Sequence, residues 1–113
     1  MEIQESGKIT IAPEVLETIA RLTALAVPGV ARLAEPPGMQ RLIRHNGVHI
    51  EVDGDSVHVS VHIVTNPDAN MLKIGHQIQT EVVRAIHDIV GMEVDSVDVH
   101  IADVASYAST AAE

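Results

Sequence analysis

Apolar and polar residues alternate strictly through the middle of this chain and again near its end, and around the middle stretch the period lengthens to that of a helix. The stretch "GVHIEVDGDSVHVSVHIV" (47–64) keeps Val and Ile on one side of a period of two and His49, His58 and His62 on the other. That is the pattern of strands with one covered and one wet face. The break "DGDS" divides it into two strands, 47–53 and 56–65, joined as a hairpin. A two-residue turn centred on Asp53-Gly54 pairs His49 with His58. Centred on Gly54-Asp55, it pairs His49 with Ser60 and Ile50 with Val59. The registers differ by two residues, so both keep the valines on one face.

Upstream, "KITIA" (8–12) alternates and predicts an opening edge strand. Pro13 suits a first helical turn, where its missing N–H has no intrahelical partner to lose. From Glu14 the period is helical: Val15, Leu16, Ile19, Leu22, Thr23 and Ala26 form one face, with Glu14, Glu17, Thr18 and Arg21 opposite. Pro28-Gly29 stops this helix, and "AEPPGMQRLIRHN" (34–46) predicts a loop. A second helix is expected from about Asn70 to Val90, with Met71, Ile74, Ile78, Val82, Ala85, Ile86 and Ile89 in its apolar stripe and Gly91 as its cap. "EVDSVDVHIADV" (93–104) predicts a last strand, with Val97, Val99 and Ile101 facing in and Asp98 and His100 facing out.

These elements predict an α+β fold: a mostly antiparallel sheet of three to four strands with two helices packed on one face. The expected core is Ile19, Val48, Ile50, Val59, Val61, Ile78, Val82, Ile86, Val99 and Ile101. Residues 1–104 are expected to form a single domain and 105–113 a flexible C-terminal tail.

Composition narrows the chemistry. Tyr107 is the sole aromatic residue among Phe, Trp and Tyr, so the core must be built from β-branched and small side chains. The absence of Cys removes disulfides, thiolate zinc sites and cysteine nucleophiles. Seven Lys and Arg face sixteen carboxylates, for a net charge of −9, which argues against nucleic-acid partners and against direct docking on anionic lipid. No apolar run is long enough for direct membrane insertion, and the opening residues do not read as a signal peptide, so a soluble cytoplasmic domain is expected. Arg32, Arg41 and Arg44 form the main basic cluster, read as a solvated loop or as a contact for a small anion or acidic partner.

No catalytic residues are expected. Phosphate-loop, dinucleotide, zincin and nucleophile-elbow patterns are absent, as is the G-x-x-G clamp of an RNA-binding KH module. Ser56, Ser60 and Ser96 have no base fixed beside them.

The histidines are the remaining candidates. His58 and His62 stand about 13 Å apart along a strand, too far for one ion. His49 with His58, paired across strands in the Asp53-Gly54 register, and Glu51 nearby are the residues that could hold a metal; no metal or cofactor is expected. His49, Glu51, His58, Ser60, His62, Asp98 and His100 otherwise tile the outer side of the sheet as an interaction face. Imidazoles among carboxylates gain charge as pH falls, so a metal- or pH-sensing module is the alternative reading. His45, His76 and His87 are expected to be solvated.

"GKITIAPEVLETIA", "VPGVARL", "NGVHIEV" and "QTEVVRAIHDIVGMEVDSVDVHIADV" together resemble the bacterial alkaline-shock-protein family, also called envelope stress response proteins, over about Gly7 to Val104. Gly7-x-Ile9-x-Ile11 resembles the family's opening strand, Pro28-Gly29-Val30 its helix stop, Gln79 a helix glutamine, and Gly91 with Val97-x-Val99 its closing strand. Pro67-Asp68 stands where the family often carries Tyr-Gly ahead of the second helix. The resemblance implies a small, non-enzymatic, cytoplasmic stress protein. It also implies self-association or association with related family members, and in some members attachment to the membrane through a separate anchor protein.

Overall fold

The computed structural model describes residues 6–34 and 47–106. Six elements follow in the order α1 (Pro13–Ala26), β1 (Val30–Leu33), β2 (Val48–Asp53), β3 (Ser56–Thr65), α2 (Met71–Val90) and β4 (Glu93–Val104). The fold is α+β, a four-stranded sheet with two helices.

β3 is the spine of the sheet. β2 pairs antiparallel with its first six residues, and β1 antiparallel with its last three. β4 runs parallel to β3 along its whole length, so β1 and β2 share the opposite edge of β3 end to end. The parallel pairing follows from α2, whose 20 residues return the chain along the sheet before β4 begins.

Gly54 decides the register of the hairpin. Asp53 lies opposite Ser56, which centres the turn on Gly54-Asp55, and Gly54 has φ +63°. A tight hairpin turn needs positive φ at its first central position, which glycine adopts without steric cost and Asp53 adopts less readily. The Asp53-Gly54 register is therefore not formed, although the valines occupy the inner face as either register requires.

α1 starts at Pro13 and packs through Leu16, Ala20 and Ala24, all buried. This corrects the apolar face read from the sequence, because Val15 and Leu22 are 45% and 56% exposed. Ala20 and Ala24 carry no bulk beyond Cβ and let the helix settle close against its neighbours, turned toward its smaller residues. In α2 the Asn70 side chain accepts from the Lys73 N–H at 3.0 Å, and the Gly91 N–H donates to the carbonyls of Ile86 and His87. Its buried stripe is Ile74, Ile78, Val82 and Ile86, narrower than expected, since Met71 and Ile89 are exposed.

Two further differences concern strands. Lys8–Ala12 forms none: Ile9 is 95% exposed. Alternation gives a segment two faces but does not supply the ladder partner that a strand requires. Conversely, Val30–Leu33 is a strand that periodicity did not announce. It is joined to β2 through one residue, His62, whose N–H donates to Gly47 O and whose carbonyl accepts from Ala34 N–H, both at 2.8 Å. Gly47, at φ +76°, leaves no space there, because a Cβ would lie 2.6 Å from Ala34 O.

The core lies between the helices and the inner row of the sheet: Val48, Val57, Val59, Val61, Ile63 and Val97 meet Leu16, Ala20, Ala24, Ile74, Ile78, Val82 and Ile86. Of the residues expected there, Ile19, Ile50, Val99 and Ile101 are partly buried at its margin. Arg41, Arg44, His45 and Tyr107 fall outside the described residues. At the end of β4 the Ala105 N–H still donates to Thr65 O at 2.8 Å.

Candidate functional site

Because both helices lie on one side, the other face of the sheet is formed by the residues interleaved with the core valines. On this face Glu51 lies opposite His58 and His49 opposite Ser60, while His58, Ser60 and His62 lie opposite Ser96, Asp98 and His100. All seven residues expected on this face are brought onto it. Together with Ser96 they form three rows across the strands: Glu51–His58–Ser96, His49–Ser60–Asp98, and His62–His100.

Each row has its own chemistry. In the first, His58 Nδ1 lies 3.0 Å from Ser96 Oγ and its Nε2 lies 3.6 Å from an Asp95 carboxylate oxygen. Between the first row and the second, His49 Nε2 approaches Glu51 Oε2 at 3.5 Å. These imidazole–carboxylate contacts become ion pairs only when the ring is protonated. In the third row, His62 and His100 stack with ring centroids 4.5 Å apart and planes at 14°.

Asp95 and Ser96 were not among the expected site residues, although a signal for them exists. Val94 and Val97 are three apart, which breaks the period of two, and the structure places a bulge there: Val57 pairs with Val94, but His58 pairs with Ser96. The extra residue, Asp95, is thereby aimed at His58, as bulges commonly re-aim side chains.

The geometry bears directly on metal binding. The observed register sets His49 opposite Ser60, and His58 turns toward Asp95 and Ser96, so His49, His58 and Glu51 do not converge. The lone pairs of a stacked pair of rings lie in parallel planes and do not meet at one ion about 2 Å from each nitrogen. Among the described residues, no group of three His, Cys, Asp or Glu side chains could hold a metal ion.

Elsewhere, a concavity of about 530 Å³ between the helices is lined by Leu22, Ala26, Ala85 and Ile89 among others. On its rim Glu81 and Arg84 pair with each other at 3.5 Å. Gln79, the helix glutamine, donates to Val97 O at 3.0 Å and ties α2 to β4. No helix among the described residues is long and apolar enough to cross a membrane.

The family model for alkaline shock protein 23 (ASP23 family, cell envelope-related function) matches residues 1–106. The chain belongs to the alkaline-shock-protein family. Its similarity extends to the uncharacterized protein YloU of Bacillus subtilis (strain 168), 24% identical over 106 residues covering 87% of this chain and 88% of YloU. YqhY of the same organism is 25% identical over 104 residues, covering 87% of this chain and 77% of YqhY. Among solved structures, a C-terminal domain of MamM superposes with a TM-score of 0.53 at 16% identity, covering 81% of this chain and 99% of that one. A zinc form of a substituted MamM C-terminal domain gives 0.51 at 19% identity, covering 80% and 85%. At these identities the likeness is one of fold. This family member thus pairs a cell envelope-related function with a scaffold also used by MamM domains.

Proposed function

We propose that this protein is a non-catalytic stress-response protein of the bacterial cell envelope that works by self-association, or by association with related family members, through the outer face of its sheet. The observation that carries this reading is the ordered polar face itself. Its histidines, carboxylates and serines are half-exposed or exposed, they lie opposite one another across three strands, and neither helix covers them. A wet face this organised is suited to protein contact, while the chain's net charge of −9 opposes nucleic acid and anionic lipid alike. In this reading the protein works in the cytoplasm and reaches the membrane through a separate anchor protein, as the family resemblance implies.

A second reading, proton-responsive association, is favoured by the contacts of His49 with Glu51 and of His58 with Asp95. Protonation of either ring adds charge to a face on which two copies would meet.

Sedimentation tests the first reading. Wild-type protein at tens of micromolar is expected to sediment as a homo-oligomer, with a dimer the simplest case. Replacing His49 and His58 together with Glu adds like charge beside Glu51 and Asp95 and is expected to disperse it, with folding checked by circular dichroism. A monomeric wild type would remove the self-association reading; an oligomer that survives the double substitution would move the contact away from this face. Repeating the run between about pH 8 and pH 5 tests the second reading. An unchanged distribution would end it.

A further inference from the structure

Lys8–Ala12 has the alternation of a strand yet lies off its own sheet. Ile9 is 95% and Ile11 37% exposed. Ile9 is the most exposed large apolar side chain among the described residues, and an isoleucine left almost wholly in water marks a segment suited to a partner elsewhere. The sheet offers a matching vacancy. Among the described residues β4 pairs with β3 alone, so the other edge of this 12-residue strand has no ladder partner among them. Its inner residues Val99 and Ile101 are only partly buried at the core margin.

We infer that the segment Lys8–Ala12 of one copy adds as a strand to the open edge of β4 in a second copy. One parallel register satisfies every side chain at once. It sets Ile9 against Val99 and Ile11 against Ile101 on the inner face, extending the core, and Lys8 against Asp98 and Thr10 against His100 on the outer face. The charge pattern favours this edge, since β4 carries Glu93, Asp95, Asp98 and Asp103 while Lys8 is the cation of the segment. The edge of β2 is less well matched, because Glu51 there is already in contact with His49 of the same strand. Main-chain bonds supply affinity in such strand addition, and alternate side chains supply the register. The segment leads directly into α1, which stays packed on its own sheet through Leu16, Ala20 and Ala24, and a two-fold arrangement makes the exchange reciprocal: each copy lends one strand and receives one.

This inference rests on the self-association reading but specifies a different contact, and the two are separable by experiment. The chain contains no Cys, so single cysteines can be placed in it at will. Lys8→Cys and Asp98→Cys chains, mixed and mildly oxidised, are expected to give the mixed disulfide-linked dimer well in excess of either self-linked species. In parallel, Ile9→Lys with Ile11→Lys is expected to weaken association at least tenfold with an unchanged circular dichroism spectrum, as both residues are exposed. Failure of the mixed link to exceed the self-linked dimers overturns the inference. So does a chain bearing both cysteines that closes within itself at high dilution, which would place the strand on its own sheet. If the wild type associates and the double lysine variant does so equally well, strand addition is wrong while self-association stands. If the mixed link forms and the paired substitution of His49 and His58 leaves the dimer intact, strand addition stands and the outer face is not the contact.

Discussion

Along β3 two sets of residues alternate under opposite conditions. Val57, Val59, Val61 and Ile63 are buried, whereas His58, Ser60 and His62, set between them on the same backbone, are only half-buried. The inner set is explained completely by folding: apolar area leaves water between the sheet and two helices. The outer set is not, since threonines or lysines would solvate that face as well as histidines do. What folding leaves unexplained is where function is to be sought, and the contrast can be measured.

The inner face should be the sensitive one. Ile78, fully buried against the sheet from α2, loses three heavy atoms on truncation to Ala in a site with little room to collapse. The expected cost is about 2–5 kcal/mol by urea or thermal denaturation. A loss below ~1 kcal/mol would mean that the packing between α2 and the sheet is loose, and the comparison of faces would lose its firm side.

Between the faces lies the backbone junction at Gly47. Its carbonyl holds the N–H of His62, so the inner and outer sets meet there. Gly47→Ala must accept φ +76° and a Cβ 2.6 Å from a backbone oxygen, which no side-chain rotation can relieve. The expected loss is about 1–3 kcal/mol, accompanied by faster amide exchange at His62 and Ala34. An unperturbed exchange pattern would show that β1 and β2 are not coupled through this residue.

How much of this was legible in advance follows from what each signal encodes. β2, β3, α2 and β4 could be read because each is long enough for its period to repeat. The outer face could be read for the same reason. The hairpin register needed one further physical fact, that positive φ falls on Gly54 and not on Asp53. β1 has four residues directly after a helix stop, too few to establish a period. In α1 Leu16 is buried as its size suggests, but a hydrophobic pattern weighs Leu22 above Ala20, while close packing favours the smaller residue. Asp95 became a neighbour of His58 through a bulge, whose only trace in the sequence is two valines three apart. Lys8–Ala12 has a strand's pattern without a ladder partner among the described residues, because periodicity encodes the faces of a segment and not its partner.

The smallest effect belongs to the outer face. His58 makes the two best-defined contacts there, to Ser96 at 3.0 Å and to Asp95 at 3.6 Å. Its side chain is 40% exposed and that of Asp95 51%, so water competes for both groups. A hydrogen bond so placed contributes about 0.5–1 kcal/mol, and an exposed ion pair about as little. His58→Thr places a β-branched residue suited to a strand there, brings a hydroxyl into the row, and leaves Ser96 and Asp95 accessible to solvent. Its expected cost is therefore below ~1 kcal/mol, with the thermal transition as cooperative as before. A loss of 2 kcal/mol or more would show that the histidine rows hold the sheet together, and the outer face would become part of the fold's stability. A small loss, alongside a several-kcal/mol loss at Ile78, leaves these residues free of structural duty and available for contact with a partner.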